Sequence, residues 1–302
     1  MKRAIFVFIV IGIVGLMFSC STSPGASDEV KTSGNTFTLW QLPNQTNSQM
    51  MSYVIRSVGG KIVVIDGGTS GDAPYLRDFL KKQGGAVEAW FITHPHSDHC
   101  NALVEILKDL QGLTIGSIYA SLPESAWIEE VADPSEKKTY ADLMAALSRA
   151  QCSVSGLELG EKLVIDGIHI RILGIKNPEI KVNPINNSCV VMRVSDKQKS
   201  VLFLADLGAQ GGRKLLSSKL ARHLPSEYVQ MAHHGQNGVN EDVYKAINPG
   251  YCLWPAPLWL WDNNPGSGKG TGHWKTLEVR AWMEKFPIKR HYLLFEGLQE
   301  IR

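Results

Sequence analysis

Closely spaced cysteines are missing from this chain. Of its five, Cys100, Cys152, Cys189 and Cys252 are scattered without any C-x-x-C spacing, which excludes a zinc-finger reading. Exported surroundings permit a disulfide, but small buried apolar thiols are the simpler expectation. An excess of either charge is missing too. With 31 Lys plus Arg against 29 Asp plus Glu, no basic field announces nucleic acid, so a polyanionic substrate must be recognised locally. No apolar run after the first twenty residues reaches the roughly 18 to 20 residues of a spanning helix.

What is present begins with "MKRAIFVFIVIGIVGLMFSC", in which Lys2 and Arg3 precede an uncharged run from Ala4 to Phe18 and then Ser19 and Cys20. This reads as an export signal over 1–20, too short for a permanent anchor. Its ending resembles a bacterial lipoprotein signal, which implies a lipid on Cys20 and a protein held at the outer face of a bacterial membrane; ordinary secretion is the alternative. Residues 21–35, small and polar, read as a flexible tether, and 36–302 as one domain, with no stable protein partner expected.

From Thr36 the pattern is mixed. "TFTLWQL", "SYVIRSV" and "KIVVID" read as strands, with a turn at Gly59-Gly60. Asp72 is expected to cap a helix over "APYLRDFLKKQ", stopped by Gly84-Gly85 before the strand "VEAWFIT". A helix "NALVEILKDL" follows. The second half repeats the strategy with a hairpin "KLVIDGIHIRILGI", paired strands "SCVVMRV" and "SVLFLAD", a helix "GRKLLSSKLARH", a strand "EYVQMA", a short helix at Glu241 to Ile247, a Trp-rich loop and a last helix from about His273 to Lys285. Two such halves predict an α+β fold, a four-layer αββα sandwich with helices outside two packed sheets.

The chemistry concentrates in "ITHPHSDH", residues 92–99, directly after an apolar strand. Imidazole and carboxylate suit zinc, iron or manganese, and one short loop cannot close a coordination shell alone. In extended chain His94 and His96 point to one side, while Asp98 and His99, at the turn into the helix, point to a neighbouring position. Two adjacent metal positions follow if distant loops supply more ligands; a chance histidine cluster is the alternative.

His94-x-His96-x-Asp98-His99 resembles the metal-binding motif of the metallo-β-lactamase superfamily of metallo-hydrolases. The resemblance implies that Asp66 in "VVIDGG" orients the histidine loop, that Asp206 in "LFLADLG" bridges both metals, and that "HHG" at residues 233–235 supplies the last histidine. His234 is then the ligand and His233 a substrate-facing neighbour, although the sequence alone allows the reverse. One position departs from the pattern. The middle histidine is replaced by Asn186-Asn187-Ser188, and His169, inside a regular strand, reads as structural or surface. This version resembles the subgroup containing the hydrolase domain of DNA-uptake competence proteins. The first metal position keeps His94, His96 and Asp206, the second Asp98, His99, Asp206 and His234; Asn186 or Ser188 could replace the missing ligand.

The resemblance implies hydrolysis by a metal-activated water with one or two divalent ions, zinc or manganese. Asp98 orients the water and His233 stabilises the departing or non-bridging oxygen. His273 in "GTGHWK" lies where related proteins carry another active-site histidine, or is a simple helix-start residue. A phosphodiester-containing substrate is the leading expectation; lactam, lactone or thioester hydrolysis and a non-catalytic binding role are the alternatives. Trp254, Trp259 and Trp261 pack a core or loop, or hold a quaternary ammonium as in a related phosphorylcholine esterase.

Overall fold

The computed structural model describes residues 35–302; the signal at 1–20 and the tether up to residue 34 lie outside the described residues. In chain order the first sheet contains β1 (Thr38–Gln41), β2 (Ser52–Arg56), β3 (Ile62–Asp66), β4 (Ala86–Ile92), β5 (Thr114–Ala120) and β6 (Ser153–Gly156). The second contains β7 (Lys162–Ile165), β8 (Ile168–Gly174), β9 (Val191–Ser195), β10 (Ser200–Phe203), β11 (Tyr228–Gln230), β12 (Tyr251–Trp254) and β13 (Arg290–Leu293). Finally β14 (Gln299–Ile301) returns to pair with β1 at the edge of the first sheet.

Both sheets follow one plan. β1, β2 and β3 are antiparallel, and β3 to β6 run parallel. Likewise β7 to β10 are antiparallel, and β10 to β13 parallel. Parallel neighbours require crossover connections, whose helices cover the outer face. That is why β3 reads as an uninterrupted apolar run, buried at every position. Tyr53, Phe91, Met192 and Phe203 meet between the sheets. Outside the first sheet, Trp90 packs with Leu76, Leu103 and Leu143 from the helices Ala73–Lys82, Ser97–Lys108 and Pro134–Arg149. Outside the second, Leu202 and Val229 pack with Leu215, Val243 and Val279 from the helices Ala209–Ser217, Glu241–Ile247 and Thr276–Met283. The four layers are those the sequence predicts.

Several local expectations are corrected. Asp72 does not cap the helix that follows; its carboxylate turns back to accept from the backbone N–H and hydroxyl of Thr69 and from the N–H of Gln45. The helix expected from Asn101 starts at Ser97, which places Asp98 and His99 in its first turn. Ser218, in an extended conformation, breaks the expected helix over 212–223 into Ala209–Ser217 and a short 3-10 segment Lys219–His223. The final helix begins at Thr276, three residues after His273. The Trp-rich loop contains β12 and a helical turn Leu258–Trp261.

A buried lysine ties the second sheet to the β14–β1 edge of the first. Lys199, 5% exposed in the β9–β10 turn, donates to the carbonyls of Phe37 at 2.7 Å and Ile301 at 3.3 Å, with its ammonium over the Phe37 ring. Burial lowers its pKa to about 8 against the ordinary 10.5. Between those values the unfolded chain binds the proton and the folded chain does not, so stability rises with pH. The unfolding free energy of the wild type minus that of Lys199→Met should therefore climb from about pH 8 to about pH 10 in denaturant titrations; a flat difference contradicts the buried-ammonium assignment.

Candidate metal centre

Three of the parallel strands, β4 in the first sheet and β10 and β11 in the second, are followed within a few residues by metal-capable side chains. His94 follows β4, Asp206 follows β10, and His233 and His234 follow β11. The helix Ser97–Lys108 brings Asp98 and His99 in its first turn. The result is two clusters sharing Asp206. In Asp98, His99, Asp206 and His234 the ligand atoms all lie within 4.8 Å of one another, as they do in His94, His96 and Asp206.

The hydrogen-bond geometry fixes which atoms face inward. The Thr93 hydroxyl donates to Asp66 Oδ2 at 2.7 Å and so accepts from His94 Nδ1 at 3.0 Å; His99 Nδ1 donates to the same Asp66 oxygen at 2.7 Å. His234 Nδ1 donates to the Pro255 carbonyl at 2.9 Å. His96 Nε2 faces Glu136 Oε1 at 3.1 Å. Each ring therefore spends one nitrogen on an outer partner, which sets its tautomer and leaves the other lone pair for a metal.

The inward atoms fit a cation. His99 Nε2, His234 Nε2 and Asp206 Oδ1 are buried without a hydrogen-bond partner, although His234 Nε2 is 3.1 Å from Asp98 Oδ2 and His99 Nε2 is 3.3 Å from Asp206 Oδ1. Close approach without hydrogen-bond geometry is the arrangement of donors around a common point. His94 Nε2 and His96 Nδ1 likewise face each other at 3.1 Å, two lone pairs that only a shared cation or proton reconciles. Burial favours neutral His99 and His234, but the carboxylates around them outweigh it: Asp206, Asp66 and Asp98 hold His99 well above its usual range, and Asp206 and Asp98 raise His234 to about 9. Burial and the neighbouring His99 and His96 keep His94 well below its range. A metal at the second position must therefore displace protons that these carboxylates retain.

The backbone is bent to make this convergence possible. Of nine non-glycine residues with positive φ among the described residues, Asp66, Ala205, His233 and His234 belong to this edge, a concentration typical of functional sites. The strand does not continue through "HHG". His233, His234 and Gly235 are consecutive left-handed residues, with φ of 50°, 54° and 78°, so both imidazoles reach Asp206 Oδ2, at 3.7 and 3.4 Å. A side chain at Gly235 would meet the Trp254 ring at 2.4 Å, which reserves that position for glycine.

The segment Asn186-Asn187-Ser188 divides its tasks. Asn187 Oδ1 accepts from the N–H groups of Gly208 and Gly211 and so holds the loop after Asp206. Ser188 Oγ is occupied by the N–H of Asn177. Asn186 alone turns to the cluster: its Nδ2 is 3.3 Å from His233 Nε2, and its buried Oδ1 has no partner. His273 is not brought in; it is exposed and lies against Trp274. His169 is exposed on β8. The three tryptophans pack as core and loop and not as the alternative aromatic cage: Trp254 is buried, Arg280 covers Trp261 at 4.0 Å, and Trp259 is paired with Trp274.

Three contributors escaped the sequence reading: Glu136, Gln49, which donates to Asp98 Oδ2 at 3.1 Å, and Gln236, which donates to Gln49 Oε1 at 2.9 Å. Glu136 also closes the capping box of its own helix with Asp133, and this local role was legible in "DPSE". Glu136→Ala should free the His96 ring and weaken metal binding by about 10- to 100-fold, measured by competition with a chelator; unchanged affinity would show that His96 needs no orienting partner.

The comparisons with known proteins follow this geometry. No curated protein matches the sequence. Among solved structures, the chain is similar to the metallo-beta-lactamase fold protein YhfI from Bacillus subtilis, at 12% identity and TM-score 0.52 over 88% of this chain and 100% of that one. It is similar to unliganded yeast PDE1 at 12% identity and TM-score 0.54, over 88% and 99%. CmlA, a diiron beta-hydroxylase from Streptomyces venezuelae, aligns at 12% identity and TM-score 0.51 over 89% of this chain and 55% of that one. The sequence profile of the metallo-beta-lactamase superfamily matches residues 46–251, more than half of the chain. With its two clusters of buried histidines and aspartates at the shared strand edge, the chain belongs to the metallo-beta-lactamase superfamily of metal-dependent hydrolases.

Proposed function

We propose that this protein is a metal-dependent phosphodiesterase held outside the cytoplasm by a lipid on Cys20. The observation that carries the phosphodiester reading is the Asn186–His233 pair, 3.3 Å apart beside the shared Asp206, where the fuller family pattern has one more histidine ligand. An anionic phosphodiester brings non-bridging oxygens that need donors, and an amide and an imidazole stand ready there.

The second cluster, Asp98, His99, Asp206 and His234, would hold zinc or manganese, and the first, His94, His96 and Asp206, would hold an ion of the same kind more weakly. When bound, such an ion lowers the pKa of water towards neutrality and polarises a phosphoryl oxygen. Asp98, fixed by Gln49, orients the attacking water through its carboxylate. His233, whose Nδ1 is 3.4 Å from the Asn237 carbonyl and whose side chain is partly open to solvent, takes a proton from solvent on Nε2 when the anionic phosphate binds and donates it to a phosphate oxygen as a hydrogen bond. Burial holds its pKa below the usual value, which makes it ready to give that proton to a leaving oxygen. The superfamily also supports the alternative of lactam, lactone or thioester hydrolysis, in which the reacting group is neutral in the ground state and an oxyanion develops only on the way to the tetrahedral intermediate.

With manganese or zinc added, the purified protein should turn over bis(p-nitrophenyl) phosphate and leave nitrocefin intact; the reverse preference overturns the phosphodiester reading. His234→Ala should lose metal and activity together. His233→Ala should keep its metal and lose about 10² to 10³ in turnover, the usual cost of one donor to developing charge. If His233→Ala is metal-free, His233 is a ligand and the assignment of the pair is reversed.

Attachment through Cys20 rests on the apolar run and terminal cysteine of residues 1–20. Cys20→Ser should leave the precursor uncleaved or shift the protein from the membrane to the soluble fraction, and a variant processed and sedimented like the wild type excludes the lipid anchor.

A further inference from the structure

A second charged locus lies on the outer face of the second sheet, away from the metal edge. Lys162 on β7 is paired in register with Arg171 on β8, which is paired in turn with Arg193 on β9. Directly opposite residues share one face with their Cβ atoms about 5 Å apart, and like charges so placed are destabilising. Nothing compensates them locally: among the described residues no ion pair includes Lys162, Arg171, Arg193 or the neighbouring Arg222.

The only acceptor that two of these cations find is an imidazole. Arg171 Nη1 donates to His223 Nε2 at 2.7 Å, and Arg222 Nε donates to the same nitrogen at 3.2 Å. A single lone pair thus serves two guanidiniums, which requires a neutral ring. Desolvation and the four cations hold the pKa of His223 below its usual value. Arg193 is anchored by Ser195 Oγ, Ser226 Oγ and the Pro225 carbonyl, so its guanidinium is held in place beside Arg171. Around these groups lies a cavity of about 200 Å³, whose polar lining is Lys162, His169, Arg171, Arg193, Ser195 and His223. It contains no carboxylate.

We propose that this cavity is an anion site that takes one phosphate- or sulfate-sized oxyanion, with Lys162, Arg171 and Arg193 as its donors. Guanidinium forks match the oxygens of such a group in pairs, and the bound anion supplies the negative charge that the cation row lacks. Binding draws Arg171 from His223, so the imidazole reports occupancy. The site is separate from the metal centre. Arg193 pairs with Leu202 inside β10, Asp206 lies beyond the end of that strand, and no residue lining the cavity belongs to either metal cluster. The inference does not depend on the phosphodiesterase reading.

The test follows the His223 ring by NMR in the purified protein, its signal identified by its loss in His223→Gln. Inorganic phosphate is titrated at fixed pH, against sodium chloride of equal ionic strength. The His223 signal should move saturably with phosphate and not with chloride. In Arg171→Gln and in Arg193→Gln the apparent Kd should rise at least tenfold. Both variants remove a like charge from the row, so their Tm in chloride should equal or exceed that of the wild type, which separates lost binding from lost folding. A His223 signal that ignores phosphate, responds equally to chloride, or responds unchanged in both folded variants overturns the proposal.

Discussion

The arrangement of the metal edge depends on one buried carboxylate. Asp66 has no exposure to solvent, and burying a carboxylate is costly unless donors surround it. Its oxygens receive the backbone N–H and hydroxyl of Thr93 and the Nδ1–H of His99. Through the Thr93 hydroxyl the same carboxylate also governs His94. One side chain that no metal would touch thus fixes the tautomers of a ligand in each cluster. It also locks the end of β3 to the end of β4, so orientation of the rings and registry of the sheet become a single event.

The second consequence of this edge is that each candidate metal cluster draws on both halves of the domain. The first half supplies His94, His96, Asp98 and His99; the second supplies Asp206 and His234. Asp206 enters both clusters, and its carboxylate is kept well below the usual range, against burial, by His234, His99 and His233. Metal binding therefore adds directly to the free energy that presses the sheets together. A metallated form should resist separation of the halves more than the apolar core between them accounts for.

Much of this was legible in the residues, for identifiable reasons. "HPHSDH" announces itself because its four side chains are local, and Asp206 and "HHG" gain meaning from following apolar strands in order. The αββα layering was likewise written in the alternation of strands with amphipathic helices. The supporting contacts were not. Glu136 reaches His96 across forty positions, and Gln236 reaches Gln49 across 187; long-range pairs of this kind leave no periodicity behind. Which way the two rings of "HHG" face was not legible, since these residues adopt left-handed backbone that no strand or helix period describes. Residues 111–156 passed without assignment although the helix they contain carries the Glu136 ligand partner. His273 was placed by analogy, and the packing of Trp274 and Trp259 keeps it at the surface.

The pairing of β14 with β1 shapes how the domain can be made. Leu39 lies opposite Ile301, so a strand near the beginning of the folded region is completed by the last of the described strands. Until then β1 presents an unpaired edge, the kind of surface on which chains add to one another, and Lys199 lacks one of its two carbonyl partners. Closure of so distant a contact is slow because its entropy must be spent before the pairing is gained. The nascent chain therefore stays open at this seam until β14 has been made, and removal of Gln299–Ile301 would leave the finished domain with the same bare edge.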